Sequence, residues 1–141
     1  SLEMNDTLEF KIVKGDDIAK YYNSSNYLNN NGTLGGSCMS DERGKLKLYT
    51  ENDDKVGLLI LHNKETDKIC GRALIWKLKK SPCDAKYFMD RVYTNNDSDV
   101  IKFKKFAIEN KFLYKQPNNL NNKFNNMFGM IMKYIALINK I

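Results

Sequence analysis

Apolar and polar residues alternate with a period of two over residues 8–13 (LEFKIV) and again over 45–50 (KLKLYT). That is the spacing of half-buried β-strands, whose successive side chains point to opposite faces. Residues 56–61 (VGLLIL) and 69–76 (ICGRALIW) are β-rich runs, and the polar spacer 62–68 between them suits a hairpin loop. A second loop around 79–85, holding Pro82, leads into a further strand at 86–94 (KYFMDRVYT). Three such strands in succession predict an antiparallel meander with short connections.

Helical signals occupy the gaps. Gly15-Asp16-Asp17 opens a short helix over 18–22, with an aspartate available as its cap. Residues 23–36 read as a polar, glycine-containing loop. Residues 95–99 (NNDSD) are rich in capping residues, and Thr94 with Asp97 fits a capping box. The helix predicted over 99–111 sets Val100, Phe103, Phe106, Ala107 and Asn110 on one broad face. Residues 112–115 (FLYK) suit another strand, and the asparagine-rich stretch 116–126, with Pro117, a loop. The chain closes in a predicted helix with Phe124, Met127, Phe128, Ile131, Ile135 and Ile138 along one side. This stripe either completes the core or makes a homodimer or partner contact, for which Met127, Met130 and Met132 are adaptable. The expected class is α+β, a mostly antiparallel sheet of about five strands with flanking helices. One domain is expected over residues 4–141, with Ser1-Leu2-Glu3 read as a cloning remnant.

Length and composition change this picture little. A chain of 141 residues with 42% hydrophobic content builds one core without needing disulfide staples. The longest apolar block, 127–138, is broken by Lys133 and is shorter than the roughly 20 residues of a spanning helix, so no membrane partner is expected. Cys38, Cys70 and Cys83 are odd in number and contain no C-x-x-C. That usage fits a reducing compartment, the cytoplasm or a host cell's cytoplasm.

The formal net charge is +6, almost all of it lysine, in a chain rich in asparagine. An AT-rich coding bias produces that composition without functional demand, so charge permits a nucleic-acid partner but does not require one. Lys77, Lys79, Lys80, Lys102, Lys104 and Lys105 are the residues such a partner would use. Against this background the three arginines, Arg43, Arg72 and Arg91, stand out as positions that need a planar, multi-donor guanidinium. The plain alternative is three structural ion pairs.

Alternation puts Cys70, Arg72, Leu74 and Trp76 on one face of their strand. It groups Tyr87, Met89, Arg91 and Tyr93 on one face of the next. Pairing across the Pro82 loop sets Arg72 opposite either Asp90 or Arg91, and a one-residue register change decides between them. Opposite Asp90 it forms a bidentate ion pair. Opposite Arg91 the two guanidiniums need an anion, framed by Trp76, Tyr87 and Tyr93. The candidate ligand-binding residues are therefore Arg72, Trp76, Arg91, Tyr93, Tyr87 and Arg43.

Other chemistry has less support. Cys38, behind Gly35-Gly36, invites a nucleophile reading, but the one histidine, His62, lies at a hairpin end and no G-x-S-x-G surrounds the thiol. A buried structural cysteine is the default. One histidine and three dispersed cysteines make no zinc spacing, Asp97-x-Asp99 lacks the rest of an EF-hand loop, and no G-x-x-x-x-G-K-S/T occurs. No catalytic residue, metal or cofactor is assigned.

Three phrases together, G-T-L-G-G-S-C-M (32–39), G-R-A-L-I-W (71–76) and F-M-D-R-V-Y-T (88–94), resemble a family of proteins from bacteriophages and large DNA viruses. The resemblance implies a viral origin and action inside an infected cell, and carries no activity with it. The element order from residue 56 to 115 also resembles the topology of the GNAT acetyltransferase superfamily. There, a strand end meets a helix N-terminus and holds the pyrophosphate of acetyl-coenzyme A. Residues 94–99 (TNNDSD) lack that family's glycines, and their aspartates would repel phosphate. The functional expectation is a non-enzymatic viral accessory module that binds a host or viral protein or a small anionic ligand. The alternatives are a GNAT-like acyltransferase and a basic nucleic-acid-binding protein.

Overall fold

Five strands pair in the order in which they occur along the chain: β1 (Leu8–Val13), β2 (Val56–Asn63), β3 (Lys68–Lys77), β4 (Tyr87–Thr94) and β5 (Leu113–Tyr114). The computed structural model describes residues 6–37, 43–79 and 85–114, with the backbone alone for 43–45. The first four strands are antiparallel, and β5 lies parallel to β4 through Phe88↔Leu113 and Met89↔Tyr114. The helices are α1 (Asp16–Lys20), α2 (Gly32–Gly35), α3 (Arg43–Thr50) and α4 (Asp99–Glu109), with a 3₁₀ turn at Ser24–Asn26. The class is α+β, a mostly antiparallel five-stranded sheet with flanking helices, as the sequence predicts. Among the described residues no helix is long and apolar enough to cross a membrane.

Both faces of the sheet are covered, which is why β2 is apolar along nearly its whole length. On one face Ile18, Tyr21, Tyr22, Tyr27, Leu34 and Leu46 close over Leu58, Ile60 and Ile69. On the other, Phe103 and Ala107 of α4 pack with Leu59, Leu61, Ala73, Ile75 and Met89. Phe10 meets Phe103 edge-on, with ring centres 5.0 Å apart. Of the face expected on α4, Phe103 and Ala107 are buried, Val100 and Phe106 half-buried, and Asn110 is exposed at the C-cap.

Several elements differ from the sequence expectation. Residues 45–50 belong to α3 and not to a strand. Leu46 is buried, its partner three residues on, Tyr49, packs on the same core, and Leu48 is 47% exposed. That is helical spacing, which six alternating residues cannot distinguish from a strand. The α1 cap is Gly15, at φ 63°, and not an aspartate. The expected capping box is absent: Ser98 is the N-cap of α4, and the Thr94 hydroxyl donates to the Asn96 carbonyl. The expected loop at 23–36 contains both the 3₁₀ turn and α2. The predicted C-terminal helix, Cys38 and Cys83 lie outside the described residues.

Two bulges reset the phase of the sheet. Leu61 pairs with Gly71 but His62 pairs with Ile69, so Cys70 is the extra residue and joins the α4 face. Ala73 pairs with Val92 but Ile75 pairs with Met89, which leaves Leu74 facing Asp90 and Arg91 together. Two residues opposing one is a β-bulge, which bends a strand and re-aims its side chains. Arg72 consequently pairs with Tyr93, and with neither Asp90 nor Arg91 as the sequence suggested.

Candidate functional site

Arg72 projects from the middle of β3 into the face covered by α1 to α3, and only 1% of it is exposed. Its guanidinium carbon lies 4.0 Å from the Tyr22 ring centre, 5.3 Å from that of Tyr27 and 5.4 Å from that of Tyr93. Nη1 donates to the Tyr27 hydroxyl at 2.5 Å, and Nη2 to the Ser37 hydroxyl at 2.6 Å. The Tyr27 hydroxyl in turn donates to the Tyr22 carbonyl at 3.1 Å, which leaves its lone pairs to the guanidinium. Among the described residues Nε has no hydrogen-bond partner. No carboxylate of those residues comes within 4.0 Å of Arg72. Burial pushes the Tyr22 phenol up to about 12 despite the opposing pull of Arg72. Among the described residues the positive charge is thus held by neutral rings and hydroxyls alone.

Ser37 reaches Arg72 because the preceding segment is clipped to the end of β4. The Thr33 hydroxyl accepts the Thr94 N–H at 2.9 Å and donates to the Thr94 carbonyl at 3.3 Å. Buried Asn95 donates to the carbonyls of Asn29 and Asn31, each at 2.9 Å. Gly32, at φ 65°, is the point of closest approach: a Cβ there would stand 2.4 Å from the Thr94 carbonyl oxygen. The phrases 32–37, 71–76 and 88–94 therefore converge on one place in the fold.

A cavity of about 130 Å³ opens there, with Arg72, Arg91, Tyr93, Tyr22, Tyr49, Ser37 and Asp90 among its lining residues. The exposed Arg91 sets its guanidinium carbon 5.0 Å from the Tyr93 ring centre, so both guanidiniums flank one ring. Asp90 accepts the Arg91 backbone N–H at 2.8 Å and the Trp76 indole N–H at 3.3 Å. Tyr49 bridges Tyr22 (6.2 Å between ring centres) and Trp76 (5.9 Å) in a line of rings. Burial first, then the charge of Asp90, raises the Tyr49 phenol above its ordinary range.

Of the residues selected from sequence, Arg72, Arg91 and Tyr93 meet at this cavity. Trp76 stands behind it, against Tyr49 and Asp90. Tyr87 does not join them: it lies on the α4 face, 5.2 Å from Phe112 between ring centres. The bulge at Asp90 and Arg91 breaks the alternation that had grouped Tyr87 with Arg91 and Tyr93. Arg43 begins α3, and its side chain lies outside the described residues. Sequence reasoning missed Tyr22, Tyr27, Tyr49 and Ser37. Their signal was a cluster of tyrosines in and around short helices, where apolar residues alone would make a core.

Three further reactive groups among the described residues, His62, Asp67 and Cys70, are engaged or buried. His62 Nδ1 contacts Glu9 Oε2 at 3.0 Å and Nε2 contacts Asp67 Oδ1 at 2.7 Å. Tyr21 donates to the same Asp67 oxygen at 2.7 Å, and Lys20 to Oδ2 at 2.5 Å. Lys20 first, then His62 and Tyr21, hold the Asp67 carboxyl well below the usual range. The Cys70 thiol is buried and pushed up to about 11, mainly by desolvation. Among the described residues no group of three or more His, Cys, Asp or Glu side chains could hold a metal. At the N-terminus of α4, Asp99 is buried and pairs with Lys102 at 3.0 Å.

No family model and no curated protein matches the chain. Among solved structures it is similar to a probable acetyltransferase, with 9% identity, 86% of this chain and 87% of that chain covered, and a TM-score of 0.48. It is also similar to an integron cassette protein from the mobile metagenome of V. cholerae, with 14% identity, 94% and 86% covered, and a TM-score of 0.44.

Proposed function

We propose that this protein is a non-enzymatic module that binds an anionic ligand, free or carried on a protein, through Arg72 and Arg91. One observation carries the reading. A buried guanidinium has no carboxylate partner and an unpartnered Nε among the described residues, beside a cavity lined by a second guanidinium. Buried charges are ordinarily paired, and here that role falls to the ligand. The planar fork of arginine matches a carboxylate or phosphate. His62 is committed to Glu9 and Asp67, which supports binding over turnover at the cavity. The module is taken to act in the cytoplasm of an infected cell, on the resemblance of its three phrases to phage and large-virus proteins.

The test is calorimetric titration with inorganic phosphate and with short carboxylates. Arg91→Gln should weaken binding about tenfold, the loss expected for a charge-assisted hydrogen bond of about 1.5 kcal/mol, with an unchanged circular dichroism spectrum. Lys104→Gln should leave binding unaffected. Wild-type affinity in the Arg91 variant would sink the reading.

The run of meander, α4 and parallel β5 favours a second reading, an acyltransferase that uses the start of α4 for pyrophosphate. Asp99 weighs against it, since a buried carboxylate in the first turn already occupies the positive end of the helix dipole. Acetyl-coenzyme A at millimolar concentration should raise the melting temperature if that reading holds. The nucleic-acid reading loses two of its lysines to ion pairs within α4, Lys102 with Asp99 and Lys105 with Glu109. A binding constant that falls steeply with salt would restore it.

A further inference from the structure

The cavity beside Arg72 is lined by both signs of charge, and the two signs do not meet. Asp90 and Arg91 are consecutive in β4, and a regular strand would send them to opposite faces. The bulge opposite Leu74 brings both into the cavity that also holds Arg72. Among the described residues neither arginine comes within 4.0 Å of the Asp90 carboxylate. Asp90 instead accepts one N–H on each oxygen, from its neighbour's backbone and from Trp76. An ionised carboxylate offers about four lone-pair sites, so acceptor capacity remains.

A ligand that is only an anion would enter a space lined by Asp90. A ligand that is only a cation would face two guanidiniums. A molecule carrying both charges avoids each penalty. We infer that the ligand is a small amino-carboxylate zwitterion, its carboxylate taken by Arg72 and Arg91 and its ammonium by Asp90 beside the Tyr49 ring. This deepens the anion-binding reading and rests on it. Aromatic faces attract ammonium groups, and Tyr49 extends the wall from Tyr22 at the guanidinium end towards Trp76 at the Asp90 end. Size agrees: a void of about 150 Å³ takes up benzene, so the present cavity suits roughly six to eight non-hydrogen atoms, the range of a small amino acid.

The experiment is a calorimetric series in which glycine, β-alanine and 4-aminobutyrate are each compared with the acid lacking the amine: acetate, propionate and butyrate. At least one zwitterion should bind about tenfold more tightly than its plain acid, the worth of one charge-assisted hydrogen bond. Asp90→Asn, which keeps an acceptor for one of the two N–H groups, should abolish that preference and leave the affinity for the plain acid equal or higher. If every plain acid binds as well as its amino counterpart, the zwitterion inference fails and the anion-binding reading stands. If Asp90→Asn keeps the preference with its fold intact, the ammonium assignment is wrong. If the tens-of-millimolar range gives binding of neither series, nor of phosphate, both readings fall.

Discussion

Arg72 stacks on Tyr22 with its guanidinium carbon 4.0 Å from the ring centre, and this contact stands where a buried arginine ordinarily has a carboxylate. A desolvated cation over an aromatic face is worth about 2 kcal/mol. Tyr22→Leu, which loses the face and leaves a gap, should cost about 2–4 kcal/mol in urea unfolding. Tyr22→Phe should cost only about 1 kcal/mol, the worth of the hydroxyl's interactions. Arg72→Met should fold with stability within about 1–2 kcal/mol of the wild type, because replacing a buried charge with an apolar side chain of similar volume is often neutral. That variant should bind no anion. Equal losses for Tyr22→Phe and Tyr22→Leu would show that the ring face contributes nothing.

Alkaline pH probes both faces of the sheet, Tyr22 on one and Cys70 on the other. Tyr22 is pushed up to about 12 and Cys70 to about 11, both chiefly by burial, from ordinary values of 10.0 and 9.0. The folded state therefore keeps protons that the unfolded chain releases. Stability is complete below about pH 9 and declines as pH rises through the interval up to the folded values. Urea midpoints measured from pH 8 to pH 11 should fall, and Tyr22→Phe should reduce the decline above pH 10. A flat profile would contradict the burial of both groups.

How much of this was legible in the sequence follows from what leaves a compositional trace. The strand at Leu8–Val13 was readable to the residue because its residue types alternate, although its burial does not: Ile12 is 40% exposed and Val13 is buried. The runs that became β2 and β3 were readable because two packed faces demand continuous apolar residues. The two arginines at the cavity stood out because the chain otherwise chooses lysine. Bulges leave no such trace: one added residue changes neither composition nor turn signals, yet it sent Tyr87 to the face opposite Tyr93 and separated Cys70 from Arg72. Ser37 was invisible as a partner because it lies 35 positions from Arg72 and arrives only when the segment before it docks on Thr94.

Acid should loosen the opposite end of the same face. The Asp67 carboxyl is depressed by Lys20, His62 and Tyr21 from an ordinary value of 3.8. A depressed folded value stabilises above the unfolded one and loses that contribution as pH falls through the folded one. Thermal melts should therefore drop as pH falls from about 5 through the acid range, and Asp67→Asn should start lower and lose less. Because Asp67 is half exposed, raised salt should shrink the difference. An Asp67→Asn protein with the wild-type acid profile would assign the loss elsewhere.

Two glycines should differ in what an added methyl costs. At Gly71 the new carbon would stand 2.7 Å from the edge of the Phe103 ring, which can tilt, so Gly71→Ala should cost about 1–3 kcal/mol. At Gly32 it would meet backbone atoms of Thr94 and Asn95 with φ already positive. Gly32→Ala should cost about 2–4 kcal/mol, from strain and overpacking together. It should also weaken anion binding, because Ser37 hangs from the same clip. Melting temperatures that rank the two variants the other way would remove the clip from the account.

The doubled position opposite Leu74 is spare to the sheet and necessary to the cavity. Deleting either residue would heal the ladder and leave the pairs on both sides as they are, so Tyr93 would still face Arg72 and Thr94 would keep its match to Thr33. What would go is one of two opposite charges that stand side by side at the cavity. A protein one residue shorter here would fold as before and lose half of what it offers a ligand.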